Sequence, residues 1–200
     1  MPLMPSPIEP TQILSAELLD LVCQRAYQSG DFILSSGQKS SYYINCKQVT
    51  LNPRGALLVG KLFLAHLPTN AEAVAGLTLG ADPIVTAVSV VSAYESPPGY
   101  PALIIRKEAK GHGTQAYIEG PTLPPGTQIV VVEDVVTTGQ SAMKAVDRLR
   151  QAGYQVDTVL AIVDRQQGGA ELYQSQGLNF GALFTIPELQ KRWSELNNQT

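Results

Sequence analysis

The 200-residue chain has very little cysteine: Cys23 and Cys46 are its only two, and their spacing is not that of a metal site. That excludes a disulfide scaffold, and the pair reads as free thiols in a reducing cytosol. An excess of charge of one sign is also lacking, since 14 Lys and Arg stand against 17 Asp and Glu, a net charge of −3. This excludes a broad nucleic-acid surface and an acidic-membrane binder. No internal repeat is present, which excludes a repeat array. Long unbroken apolar runs are missing too. Residues 74–94 carry a single charge, Asp82, but Gly76, Gly80 and Asp82-Pro83 interrupt them. A strand, a loop and a helix are expected there, not a membrane span. The opening MPLMPSPIEP is Pro-rich, with neither a positive n-region nor an apolar h-region. It is expected to be a loose tail and not a signal peptide, which leaves the sequon Asn198-Gln199-Thr200 idle.

What is present centres on QIVVVEDVVTTGQS, Gln128 to Ser141. Ile129 to Val132 is a short apolar run suited to a strand buried on both faces of a parallel sheet. Two carboxylates follow, Glu133 and Asp134, then Val135, Val136 and the small turn Thr137-Thr138-Gly139-Gln140-Ser141. A helical pattern begins at once and closes at Gly153, the expected C′ residue. A helix N-terminus behind small residues presents free N–H groups and partial positive charge, which suits a phosphate. Thr137, Thr138 and Ser141 add hydroxyls. The carboxylates would repel a phosphate but suit vicinal hydroxyls, or a metal held among hydroxyls. Together they describe a ribose 5-phosphate. The bland alternative is a turn capped by Thr or Ser, with both acids solvated.

EDVVTTGQS resembles the phosphoribosyl pyrophosphate (PRPP) motif of type I phosphoribosyltransferases. That motif identifies the superfamily but not the acceptor base. RKEAKGHGT, Arg106 to Thr114, resembles the catalytic loop of orotate phosphoribosyltransferases. FILSSGQKSSYYIN resembles that family's N-terminal segment, and Val163-Asp164-Arg165-Gln-Gln-Gly-Gly matches the stretch where the family has an orotate-contacting Arg. The resemblance spans about Phe32 to Gly169. It implies transfer of the 5-phosphoribosyl group from PRPP to orotate in pyrimidine biosynthesis, in the cytoplasm. The alternatives are a purine phosphoribosyltransferase or a non-catalytic PRPP-sensing regulator.

The resemblance also implies residue roles. Lys110, His112 and Asp134 are the catalytic group. Arg106, Lys107, Lys110 and His112 meet pyrophosphate. Glu133 and Asp134 take the ribose hydroxyls, Thr137 to Ser141 hold the 5-phosphate, and Val135 and Val136 belong to the same PRPP-binding stretch. Tyr42, Tyr43, Ile44, Thr138 and Arg165 hold orotate. Mg2+ is the cofactor, held near Glu133 and Asp134 through water and substrate and not by direct protein ligands. A homodimer sharing the 106–114 loop is implied, with neither nucleic acid nor membrane as partner. A cis peptide not preceding proline is implied at Thr78–Leu79. Two departures stand out: many relatives have Lys where this chain has Ser35 and Gly80, so neither residue inherits the lysine's role.

The chain suits one domain, residues 1–200, long enough to bury about 70% of its unfolded surface. Residues 1–12 are expected as tail and about 13–50 as a small N-terminal hood. Expected elements are a helix over 15–28, strands over 32–34 and 42–45, and a helix from Asn52-Pro53, as N-cap and N1, to about Leu67. Within that helix, Gly55 to Leu62 nearly matches a P-loop, but Leu62 stands where Ser or Thr would hold magnesium. Further on come strands over 72–75, 102–105, 129–132, 156–163 and 180–184. Helices follow at Asp82-Pro83 (as cap), to Ala152, over 170–175 and over 186–196. Strands alternating with helices argue an α/β class: the type I phosphoribosyltransferase fold, a mostly parallel central sheet flanked by helices.

Overall fold

The structure, a computed structural model, describes residues 11–33, 37, 39–109 and 117–198. Strands β1 (Tyr27–Ile33) and β2 (Lys39–Ile44) pair antiparallel as a sheet of their own. The main sheet contains β3 (Ala73–Leu77), β4 (Ala102–Ile105), β5 (Ile118–Glu119), β6 (Gln128–Val136), β7 (Gln155–Asp164) and β8 (Asn179–Thr185). Its order is β5-β4-β3-β6-β7-β8, parallel throughout except that β5 runs antiparallel to β4. The helices are α1 (Thr11–Arg25), α2 (Lys47–Thr50), α3 (Pro53–His66), α4 (Asp82–Glu95), α5 (Gln140–Gln151), α6 (Gly169–Ser175) and α7 (Ile186–Asn197). Among the described residues, no helix is long and apolar enough to cross a membrane.

The expected buried strand is the third from one end of this sheet, between β3 and β7, and Ile129 to Val132 are each 0% exposed. Two cores cover its faces, and the pleat of β6 divides residues between them. Ile129 and Val131 join Val146, Leu149 and Tyr173 on the α5–α6 side. Val132 joins Leu18, Leu58, Ile84 and Val88 on the other. Helix α5 ends as expected: Gly153 has φ +90, its N–H reaches Arg150 O at 3.0 Å, and the Tyr154 N–H reaches Leu149 O at 3.1 Å, the Schellman pattern. Asn52 caps α3 by accepting from the N–H groups of Arg54 and Gly55, both at 3.1 Å. The P-loop look-alike lies inside α3. There Gly60 serves packing, since a Cβ would sit 2.8 Å from the Ala87 carbonyl oxygen of α4.

Several boundaries differ from the expectation, each because long-range pairing overrides local periodicity. Helix α1 starts at Thr11, so residues 11 and 12 are helix and not tail. It ends by Arg25 because Tyr27 and Gln28 pair with Ile44 and Tyr43 in the β1–β2 ladder. Strand β6 does not stop at Val132 but continues through both acids, since Glu133, Val135 and Val136 pair with Ala161, Val163 and Asp164 of β7. Asp82 does not cap α4. The N-cap is Ala81, and the Asp82 carboxylate instead accepts from Thr78 Oγ1 at 2.8 Å. Strand β5 and the single-turn α2 have no sequence signal, being two and four residues long.

Candidate active site

The carboxyl ends of β3, β4, β6 and β7 lie along one edge, and each delivers polar residues there. From β6 come Glu133 and Asp134, which the pleat sends to opposite faces. Asp134 faces the turn after β3. Its carboxylate lies against Gly80, where a Cβ would come within 2.6 Å of Oδ1, and Oδ1 also accepts the Val135 N–H at 2.9 Å. Glu133 faces the α5–α6 core and is buried, 6% exposed. Oε2 has no hydrogen-bond partner among the described residues. Burial, and then the neighbouring Asp134 carboxylate, push the Glu133 carboxyl up to about 9, with Lys107 pulling in the other direction. Burial thus favours the neutral carboxyl at Glu133, while Asp134 lies at the half-exposed edge. The idea that both acids are merely solvated does not hold.

Helix α5 begins in the turn 137–141, as expected. Gly139, at φ +80, is its N-cap and, as a glycine, supplies no capping side chain. Such a helix start presents first-turn N–H groups suited to an anion. Glu133, Val135 to Ala142 and Tyr173 line a pocket of about 70 Å³ at this turn. Tyr173 supports it from below: a Cβ on Gly139 would touch the Tyr173 ring at 3.0 Å. The Tyr173 hydroxyl is buried and without a partner among the described residues, and burial, then Glu133 and Asp164, hold its proton firmly. Sequence reasoning missed Tyr173, which reads as one more apolar position of α6.

The hood supplies the next part. Arg165 follows β7, and its N–H donates to Val136 O at 2.9 Å, joining it to the end of β6. Its Nε donates to the Tyr42 hydroxyl at 2.9 Å, and its guanidinium lies 4.8 Å from the Tyr42 ring centre. Tyr42 in turn stacks on Tyr27 at 5.8 Å, and Tyr27 meets Trp193 of α7 at 5.9 Å. So α7, the hood and the end of β7 fix one guanidinium. Tyr43, by the alternation of β2, points away from Tyr42, is exposed and meets Phe32 at 5.7 Å, while Ile44 is half-buried. Thr138, Gln140 and Ser141 are exposed along the phosphate turn.

The cationic stretch is only partly described. Lys110, His112 and the rest of residues 110–116 lie outside the described residues, as does Ser35. Arg106 is engaged: Nη1 donates to Glu119 Oε1 at 3.0 Å and Nε to the Glu108 carbonyl at 3.2 Å. Lys107 is exposed. The Thr78–Leu79 peptide is cis, as the resemblance implies. Both cysteines are free and buried, and burial, followed by Asp134, raises the Cys46 thiol well above the ordinary range. No group of three or more His, Cys, Asp or Glu that could hold a metal ion occurs among the described residues.

No protein-family model matches the chain. The chain is 72% identical over 185 residues to the orotate phosphoribosyltransferase of a Nostoc species, covering 92% of this chain and 89% of that one. To the Synechocystis orotate phosphoribosyltransferase it is 71% identical over 174 residues, with 87% of each chain covered. Among solved structures, Mycobacterium tuberculosis orotate phosphoribosyltransferase in complex with PRPP matches with a TM-score of 0.71 at 34% identity, covering 88% of this chain and 99% of that one. The Leishmania donovani adenine enzyme, at 14% identity and a TM-score of 0.65 over 90% of this chain and 83% of that one, shares the fold alone. By these matches and by the arrangement at its sheet edge, the chain belongs to the orotate phosphoribosyltransferases, within the type I phosphoribosyltransferase fold.

Proposed function

We propose how this chain's residues divide the work of the family reaction, in which orotate and PRPP give orotidine 5′-phosphate and pyrophosphate. The 5-phosphate sits on the uncapped N-terminus of α5, among Thr137 to Ser141. Asp134 and Glu133 accept the ribose hydroxyls, Asp134 from the open side. Burial favours the neutral form of Glu133, so it accepts a hydroxyl without a second full charge beside Asp134. Arg165 grips the orotate carboxylate with a planar fork that Tyr42 aims, and backbone of Tyr43 and Ile44 borders the ring. Thr138 lies between the base and the phosphate. Arg106, Lys107, Lys110 and His112 neutralise the departing pyrophosphate.

At ribose carbon 1 the bond to pyrophosphate breaks and a bond to the orotate ring nitrogen forms, through an oxocarbenium-like transition state. That nitrogen is already anionic or readily becomes so, hence no strong general base is needed. Positioning and neutralisation of the leaving group carry the catalysis. Arg106 must leave Glu119, or turn about it, to reach pyrophosphate.

Carboxylate oxygens at the sheet edge suit Mg2+ held mainly by water and ligand oxygens, with Asp134 and Glu133 as the nearby acids. When bound, Mg2+ supplies charge neutralisation on the pyrophosphate. We further read the chain as a cytoplasmic homodimer that shares the 106–114 loop.

The observation that supports this reading best is the tie between the Arg165 N–H and Val136 O, which joins Arg165 to the strand end that leads into the turn 137–141. The test is loss of orotate absorbance in the presence of PRPP and magnesium, with adenine run alongside. Turnover of adenine and not of orotate would overturn it.

A further inference from the structure

We propose that Arg148 is a positioning residue, holding Arg106 and Lys107 at a fixed distance from the turn 137–141. Its guanidinium donates to two consecutive main-chain carbonyls, Nη1 to Arg106 O and Nη2 to Lys107 O, the latter at 2.9 Å. It also lies 4.0 Å over the ring of Tyr117. Tyr117 directly precedes β5, and its carbonyl accepts the Arg106 N–H at 2.8 Å. One side chain therefore holds two segments, residues 106–107 by their carbonyls and Tyr117 by its ring.

The geometry explains why this matters. Strand β4 ends at Ile105, so the carbonyls of Arg106 and Lys107 lie beyond the β4 strand. A planar fork bonded to both fixes the orientation of two successive peptide groups. Those peptides set the direction in which the Arg106 and Lys107 side chains leave the backbone. A lysine at 148 offers a single charged point and cannot hold two carbonyls in one plane.

Arg148 is carried by α5, which starts at Gln140 at the end of the turn 137–141. Arg148 lies eight positions after Gln140 on that helix, a rigid span of about 12 Å. A single element therefore sets both ends of the PRPP site: the 5-phosphate at its N-terminus, and the pyrophosphate-facing cations through Arg148. The inference rests on the assignment of those two ends under the proposed function.

The experiment compares Arg148→Lys and Arg148→Met with the wild-type dimer. Inhibition by pyrophosphate and by ribose 5-phosphate is measured separately, together with KM for PRPP and for orotate and with thermal stability. Arg148→Met keeps an unbranched stem over Tyr117 and loses all donors. Arg148→Lys keeps charge and length, so at least one variant retains the fold of this half-exposed site.

In Arg148→Met the inhibition constant for pyrophosphate and the KM for PRPP should rise about tenfold, with a smaller rise in Arg148→Lys. Ribose 5-phosphate inhibition and the KM for orotate should stay within about twofold, because neither ligand reaches the pyrophosphate end. A lowered melting temperature with all four constants unchanged would make Arg148 a structural staple and overturn the proposal. An equal rise in all four would overturn it as well. Asp134→Asn, run in parallel, keeps the two failures apart. If that variant also leaves PRPP use untouched, the site assignment itself is wrong. If it impairs PRPP use while the Arg148 variants do not, only the positioning role falls.

Discussion

Gly80 and Asp134 touch across the mouth of the site: a Cβ on Gly80 would lie 2.6 Å from Asp134 Oδ1 and 2.9 Å from Cγ. The Asp134 carboxylate occupies space that a side chain at position 80 would contest. Gly80→Ala should displace the carboxylate without unfolding the protein, because the end of a short side chain can turn aside. The expected outcome is a rise of about three- to tenfold in the KM for PRPP, from partial loss of a charged hydrogen bond of about 1.5–3 kcal/mol. Initial rates over a PRPP series at saturating orotate measure it, and an unchanged KM would show that this contact does not set the carboxylate.

Asp134→Asn keeps the shape and removes the charge. Turnover should fall about tenfold or more, the equivalent of one charged hydrogen bond of about 1.5–3 kcal/mol. The residue is half-exposed at the sheet edge, so the melting temperature should hold. Full activity at low magnesium with saturating PRPP would remove Asp134 from the ribose site.

Arg165→Lys should affect orotate more than PRPP. Lysine cannot reproduce both the hydrogen bond to Tyr42 and a planar grip on a carboxylate, and a rise of about tenfold in the KM for orotate is expected. Kinetics with each substrate varied in turn separate the two. A raised KM for PRPP beside an unchanged one for orotate would reverse the placement of this residue.

Glu133 makes stability depend on pH in a definite direction. Its carboxyl titrates at about 9 in the folded protein against 4.5 ordinarily, first through burial and then through Asp134. Between those values the folded state keeps a proton that the unfolded chain has released. The protein therefore loses stability as pH rises through this window. Each tenfold difference in proton affinity is worth about 1.4 kcal/mol. Glu133→Gln cannot titrate and should flatten the decline. An effect of even about 2 kcal/mol corresponds to about 4–8 °C in Tm, read by thermal melts across the range. Parallel melting curves for the two proteins would show that Glu133 is ionised throughout.

The proposed homodimer with residues 106–114 shared between subunits is tested by complementation between Lys110→Ala and Asp134→Ala. Each homodimer should be nearly inactive. If the loop serves the neighbouring site, mixed dimers contain one intact site, and random assortment restores roughly a quarter of all sites. If the loop serves its own subunit, mixing restores nothing. Subunit exchange, followed independently with a label, makes the second result meaningful.

Features with local signals were legible along the chain. The apolar run 129–132, the small turn 137–141 and Gly153 fix a strand, a helix entry and a helix end through burial, backbone freedom and left-handed φ. Those requirements belong to neighbouring residues, so they are legible in order along the chain. The wording of EDVVTTGQS, RKEAKGHGT and VDRQQGG carried the family in the same way. Tertiary structure alone decided what depends on residues far apart. The pleat sends Glu133 into the core and Asp134 to the edge, though in sequence they look equivalent. Pairing with β2 claims Tyr27 from a helical pattern and carries Tyr42 to Arg165, 123 positions away. Arg148 meets Arg106 and Lys107 only because α5 packs where β4 ends. Burial and hydrogen bonding between distant segments follow from the packing of whole elements, and no short stretch of sequence contains that information.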